Sequence, residues 1–397
     1  MTQEESLGVL PAGSGPHSQA IRRKYDTPTT PVQRAARPSW RKRVKLALFY
    51  CARAIGLSHL ARWLTRRSVL IVGWHCVSLH DEHRRFPSLC VSRETFRRRL
   101  EFLCRHYRII TLDEFLRQKR AGRIEPYQAI LTFDDGYYDV YASAAPILRE
   151  FNVPSTLYMV TARIDSQRPT YNHMVSDIIL LSSLSEAVLT APGIEGSVRL
   201  ATQADRVALM RRAMAVYPLD PRQQEPFTRR LAGDLDVDMD DLVRRRVWHA
   251  MNADEVRELA ATGLFDFQLH THEHKNVLDY AEIAFEQAMV CRERLEALTG
   301  RPAPHFCYPQ GFWGRETWDA LSRAGIVTAA TAQNGPNFPA TPDLALRRFL
   351  DGEDRSQIEF EVETSHLRWL WHALWHPRRY AIPNEKRQPY YESRKLF

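Results

Sequence analysis

None of the six cysteines, Cys51, Cys76, Cys90, Cys104, Cys291 and Cys307, sits in a C-x-x-C pair. Their scatter gives neither a zinc knuckle nor a disulfide framework, and it suits a reducing compartment. The chain also lacks any run of about 20 uncharged apolar residues, so no membrane-spanning helix is expected. Its first residues include Glu4 and Glu5 followed by Pro, Gly and Ser. They lack the basic-then-apolar order of a secretory signal, which makes the cytoplasm the expected location. No internal repeat is visible.

What is present is a chain of 397 residues, 44% of them hydrophobic, enough for a sizeable core. The net charge of +8 would suit nucleic acid if it lay in one groove of the body. It does not. Residues 1–70 carry 13 Lys or Arg against 3 acids, a surplus of ten, so the remainder nets −2. A basic arm on a nearly neutral body argues against nucleic acid as a partner. Residues 1–39 mix Pro, Gly, Ser, Thr and Arg with little apolar periodicity and are expected to be a disordered basic tail. Residues 40–67 read as a basic amphipathic helix, with Val44, Ala47, Leu48, Ala52, Ile55 and Leu60 at helical spacing among Arg41, Lys42, Arg43, Lys45, Arg53 and Arg62. Such a helix can pack on the body or dock on an anionic membrane surface.

Short apolar runs at 69–74, 108–111, 129–133, 155–160, 266–269, 326–331 and 346–350 alternate with helical stretches. This rhythm predicts a mainly parallel sheet covered on both faces, without deciding between an open sheet and a barrel. Between about 161 and 250 the patterns are helical with no convincing strand, which predicts a helical insertion. Its acids Asp234, Asp236, Asp238, Asp240 and Asp241 lack the Gly and Glu positions of a calcium loop and read as a solvated turn before a helix. Residues 356–397 are expected to form a Trp-rich helix and tail. Trp369, Trp371 and Trp375 beside Arg368 suit either a membrane interface or a helix closing one end of the fold.

Chemistry concentrates in two short segments. Leu131-Thr132-Phe133-Asp134-Asp135-Gly136 puts adjacent carboxylates at the end of an apolar strand, before a Gly that allows a sharp turn. Taken alone, Asp-Asp-Gly is only a turn. His270-Thr271-His272-Glu273-His274 follows a second strand-like run, and three histidines in five residues rarely serve as core filling. His270 could pair with His274 or with His272 on one ion. One carboxylate and two imidazoles leave a coordination position open for water, the outline of a hydrolytic metal site.

Thr-Phe-Asp-Asp-Gly followed by His-Thr-x-x-His resembles the polysaccharide deacetylase family, also called the NodB-homology or carbohydrate esterase family 4 group, over roughly residues 68–355. The resemblance implies an α/β fold, an incomplete (β/α)7 barrel interrupted by the helical insertion. It implies Asp134 as the base and Asp135, His270 and His274 as ligands of a divalent metal, zinc by preference. Phe306-Cys307-Tyr308-Pro309-Gln310-Gly311 resembles the family's third motif and implies the Tyr308 N–H as an oxyanion donor. Many members have an Arg where Cys307 stands, and Arg348 is the expected substitute for orienting the base. Val72-Gly73-Trp74-His75 resembles the opening strand of circularly permuted, exopolysaccharide-type members, implying His75 as the general acid.

The function so implied is removal of N-acetyl groups from N-acetylhexosamine in a bacterial polysaccharide or its lipid-linked precursor. Two alternatives keep the site or the surface: O-deacetylation or deformylation of a sugar, and a non-catalytic glycan-binding part of a membrane-associated assembly. The expected place is the cytoplasm, peripheral on the inner membrane.

Overall fold

The computed structural model describes residues 39–218, 220–277 and 283–375. The tail expected at 1–39 lies outside these except for Ser39, as does the expected C-terminal segment beyond Trp375. Twelve strands are described: β1 Val69–Trp74, β2 Cys76–Val77, β3 Cys90–Val91, β4 Arg108–Ile109, β5 Gln128–Phe133 and β6 Ser155–Met159, then β7 Glu186–Leu189, β8 Gly196–Arg199, β9 Phe265–Leu269, β10 His305–Cys307, β11 Thr328–Ala330 and β12 Phe349–Leu350. The main sheet runs β11-β10-β9-β6-β5-β1-β12, with β4 added beside β5. Every recorded pairing within it is parallel.

The two ends of that path approach each other. Leu346, leading into β12, bridges Ala330 of β11, with the Thr331 N–H donating to Leu346 O at 2.8 Å. The sheet therefore curls into a half-barrel closed by a single bridge, and the α/β half-barrel expected from the resemblance is what the chain forms. Both central strands, β1 and β5, are buried along their whole length, as parallel strands covered on two faces must be. Their register pairs Gly73 with Thr132 and Trp74 with Phe133, which brings the residues that follow, His75 and Asp134, to the same end of the barrel. Helices between strands start at capping side chains: Ser92 accepts from the Thr95 N–H before helix Arg93–His106, and Thr111 from the Glu114 N–H before helix Leu112–Arg120.

Two expectations need correction. Cys76 and Cys90 form a disulfide between the paired strands β2 and β3, so the six cysteines are not all free. Sequence spacing missed this because the 14-residue separation is closed by tertiary structure. The interval expected to be purely helical also contains the antiparallel hairpin β7–β8. That hairpin belongs to a separate compact unit, Val175–Val237. Within it Arg206 donates to Ile179 O at 2.6 Å and to Leu184 O at 3.1 Å, while Asp234 accepts from the Thr190 N–H and hydroxyl, both at 2.6 Å. In the other unit, Asp238 accepts from the Asp241 N–H and caps helix Met239–Arg244, consistent with a turn before a helix.

Candidate active site

At the C-terminal end of β5 the chain turns sharply. The Asp134 N–H donates to Trp74 O at 2.9 Å, and the Gly136 N–H returns to Asp134 O at 2.8 Å. Asp135 and Gly136 both take left-handed backbone conformations, with φ of 65° and 68°. The turn sends the two adjacent carboxylates into one buried space. Past β9, Thr271 and His274 are left-handed as well, with φ of 64° and 59°. Non-glycine residues held there cost of order 1 kcal/mol or more each, and such strain collects at functional sites.

Asp134 is gripped by Arg348, which donates Nη1 to Oδ1 at 2.5 Å and Nη2 to Oδ2 at 2.7 Å. The guanidinium also donates to Thr331 O, the Thr132 hydroxyl and Cys307 Sγ. Both partners are almost fully buried. Burial pushes the Asp134 carboxyl up, but the Arg348 charge, with His75 and His270 nearby, outweighs it and holds the group below the ordinary carboxylate range. Arg348 reaches this position past Gly73, where a Cβ would stand 2.6 Å from Leu350 Cδ2, 2.9 Å from Thr132 Oγ1 and 3.2 Å from Arg348 Cδ. His75 Nε2 lies 3.5 Å from Asp134 Oδ2.

Asp135 faces the imidazoles. Its Oδ1 lies 3.2 Å from His274 Nε2 and 3.8 Å from His270 Nε2. The His270 Nδ1–H donates to Cys307 O at 2.8 Å, which leaves Nε2 with its lone pair directed at Asp135. Burial lowers both imidazoles, His274 to about 3, so both are neutral at physiological pH. Asp135 Oδ1 is buried without a hydrogen-bond donor, and Asp135, His270 and His274 bring one ligand atom each within 4.8 Å of one another. A neutral pair of imidazoles and an unsatisfied carboxylate oxygen fit a divalent cation.

Of the two pairings left open by the sequence, the fold brings His270 together with His274. His272 Nδ1 is 2.9 Å from the Thr161 hydroxyl and lies outside the group. Asp134, His270 and Cys307 also converge. That set is the poorer one, because Arg348 occupies Asp134 and burial pushes the Cys307 thiol well up, keeping it protonated.

Tyr308 does not offer what the resemblance implies. Its N–H donates to Ala330 O at 3.1 Å and is committed to the sheet, and its hydroxyl donates to Leu344 O at 2.9 Å. Two residues on, past Pro309, Gln310 has a φ of 60° and an amide outside the strand.

Several neighbours carried no sequence signal of their own. Arg163 Nη1 lies 3.7 Å from Asp135 Oδ1. The Tyr137 hydroxyl is 3.0 Å from His173 Nδ1, and the rings of His173 and Trp248 meet at 5.0 Å. Burial lowers His173 to about 4. These residues wall the Asp135 side, and only Tyr137, next to Asp-Asp-Gly, was near a recognisable motif.

A parallel half-barrel thus carries at its strand ends a carboxylate and two imidazoles that could hold a metal ion, with an Arg-clamped second carboxylate beside them. Residues 123–183 and 243–329 match the model of the polysaccharide deacetylase family, and the chain carries a domain of that family. Its sequence is 27% identical over 112 residues to the poly-beta-1,6-N-acetyl-D-glucosamine N-deacetylase of Staphylococcus epidermidis, covering 25% of this chain and 39% of that one. With the protein of the same name from Staphylococcus aureus strain MSSA476 it is 30% identical over 78 residues, 19% and 27% of the two chains. The chain thus spans about two fifths or less of the length of these curated relatives. Among solved structures, Streptococcus pyogenes deacetylase PplD in complex with acetate superposes with a TM-score of 0.50 at 15% identity, over 76% of this chain and 99% of that one. This last likeness concerns the fold.

Proposed function

We propose that the protein hydrolyses the N-acetyl groups of a poly-N-acetylglucosamine-type exopolysaccharide. The observation that carries this is the convergence of His75, Asp134, Asp135, His270 and His274, from the ends of β1, β5 and β9, at one end of the barrel. Relatives named for a β-1,6-linked polymer favour a polymer over a lipid-linked sugar as substrate.

Asp135, His270 and His274 would hold a divalent ion, zinc by preference for a two-imidazole, one-carboxylate donor set. When bound, such an ion supplies Lewis acidity, polarising the acetamide carbonyl and acidifying water. Asp134, kept ionised by Arg348, accepts the proton of the attacking water. His75, 3.5 Å from Asp134, donates a proton to the departing amine, so cleavage of the C–N bond yields acetate and a free amine. The Gln310 N–H replaces that of Tyr308 as the backbone oxyanion donor. His75→Gln should lower kcat roughly 100-fold or more with metal content unchanged; unaltered turnover would remove His75 from the acid role.

The Cys76–Cys90 disulfide supports an oxidising compartment over the cytoplasm expected from cysteine spacing. Thiol labelling of protein taken directly from cells tests this. Protection of Cys76 and Cys90 is the expected outcome, and full labelling would return the protein to a reducing compartment.

A further inference from the structure

Residues 39–68 contain eight Lys or Arg and no acid. They form two helices, Trp40–Ala54 and Leu57–Leu64, and both are turned opposite to the usual sense of a soluble amphipathic helix. In the first, the basic side faces the body. Lys45 pairs with Glu359 at 2.9 Å, Arg53 with Glu361 at 2.9 Å, and Lys42 Nζ donates to Asp354 O at 3.2 Å. Its apolar stripe faces out: Val44, Leu48 and the following Ile55 are 49%, 63% and 73% exposed, and no residue of the helix is buried.

The second helix repeats the inversion. Ser58, Ala61 and Arg62 are buried, with the Arg62 guanidinium over the rings of Phe102 and Tyr107, while Leu57, Leu60, Trp63 and Leu64 are exposed. Beside it packs helix Leu367–Trp375, which has no acid and no buried residue and exposes Trp371, Leu374 and Trp375. Three neighbouring helices thus present Leu, Ile and Trp outward. Single exposed apolar residues are ordinary, but a contiguous patch of them marks an interaction site.

We propose that these three helices are a bilayer-docking surface that lies in the headgroup region of an anionic membrane. Trp and Leu with flanking Arg are the composition of that interface. Arg41, Arg43 and Arg67 are exposed around the patch with no acid among them, complementary to anionic headgroups. No single described helix is long and apolar enough to cross a membrane, and the two that pass together are bent by 71°, so the surface lies on the bilayer. Lys45 and Arg53 are engaged by Glu359 and Glu361, so attachment is driven by apolar insertion and only supplemented by charge. This does not rest on the deacetylase assignment.

The test is co-sedimentation of the full-length protein with vesicles of phosphatidylcholine alone and of phosphatidylcholine mixed with phosphatidylglycerol. Binding to the mixed vesicles is expected, with most of it surviving about 0.5 M NaCl, where exposed charges are screened beyond about 4 Å. The triple variant L48E/W63E/W371E should bind at least roughly tenfold less with an unchanged thermal melt. Wild-type protein that binds neither vesicle would overturn the proposal, as would binding abolished by salt and indifferent to the triple variant. Concentration-dependent self-association lost in that variant, without vesicle binding, would assign the surface to a second copy of the chain.

Discussion

The strand-end site and the helices Trp40–Ala54 and Leu57–Leu64 both turn charge inward. At the strand end, Asp134 and Arg348 are both almost fully buried. Desolvation of each is offset by a two-pronged contact and by extra donors and acceptors from β5, β10 and the segment after β11. At the helices, Lys45 and Arg53 remain roughly half-exposed over acids that are mostly covered, and each pair is worth little alone. Inward charge at the strand end is held by many groups. At the helices it frees an apolar face for something outside, and few groups hold it.

Substitutions should expose that asymmetry. Arg348→Ala strands Asp134 without its counter-ion and should destabilise the fold by about 3–5 kcal/mol, read as a fall in the denaturation midpoint; a loss under about 1 kcal/mol would mean that the pair is not the buried clamp described. Gly73→Ala places a methyl against Leu350, Thr132 and Arg348 and should cost about 1–3 kcal/mol together with activity. Stability unchanged there would show that Arg348 can take another route to Asp134. On the helical side, Glu359→Gln removes a buried charge held by Lys45 and Ser356 and should cost about 1–2 kcal/mol.

Acid should act on the same helix. Burial pushes Glu359 up, but hydrogen bonds from Lys45 and Ser356 outweigh it and lower the group to about 2. A folded value below the unfolded one means the contribution is complete above the unfolded value of about 4.3 and disappears as pH falls from there through about 2. The wild-type melt should therefore drop over that window by more than that of Glu359→Gln, and parallel titrations would remove the pair from the account. Smallest of all, Leu48→Gln should leave the melt within about 0.5 kcal/mol of wild type, because that side chain is mostly exposed.

The same contrast governs how much could be read from sequence. Strands β1, β5, β6 and β9 announce themselves as apolar runs, and Asp-Asp-Gly and His-Thr-x-x-His as donor sets, because local composition determines both. The β7–β8 hairpin does not, since Glu186, Ser197 and Arg199 leave it no apolar alternation. The amphipathicity of residues 40–67 was legible, but not which face points inward, because that depends on Glu359 and Glu361 about 300 residues away. For the same reason neither the Cys76–Cys90 disulfide nor the capture of the Tyr308 N–H by Ala330 could be seen: each depends on which segments the fold makes neighbours.

The central claim is that Asp134 acts as the proton acceptor in hydrolysis of a glycan acetamide. It is tested most directly by supplying the zinc-loaded protein with β-1,6-linked N-acetylglucosamine oligomers and measuring free amine and acetate together. The wild type should release the two in equal amounts, while Asp134→Asn, retaining its metal, should be slower by roughly 100-fold or more. Equal release by Asp134→Asn, or acetate without amine from the wild type, would contradict the account.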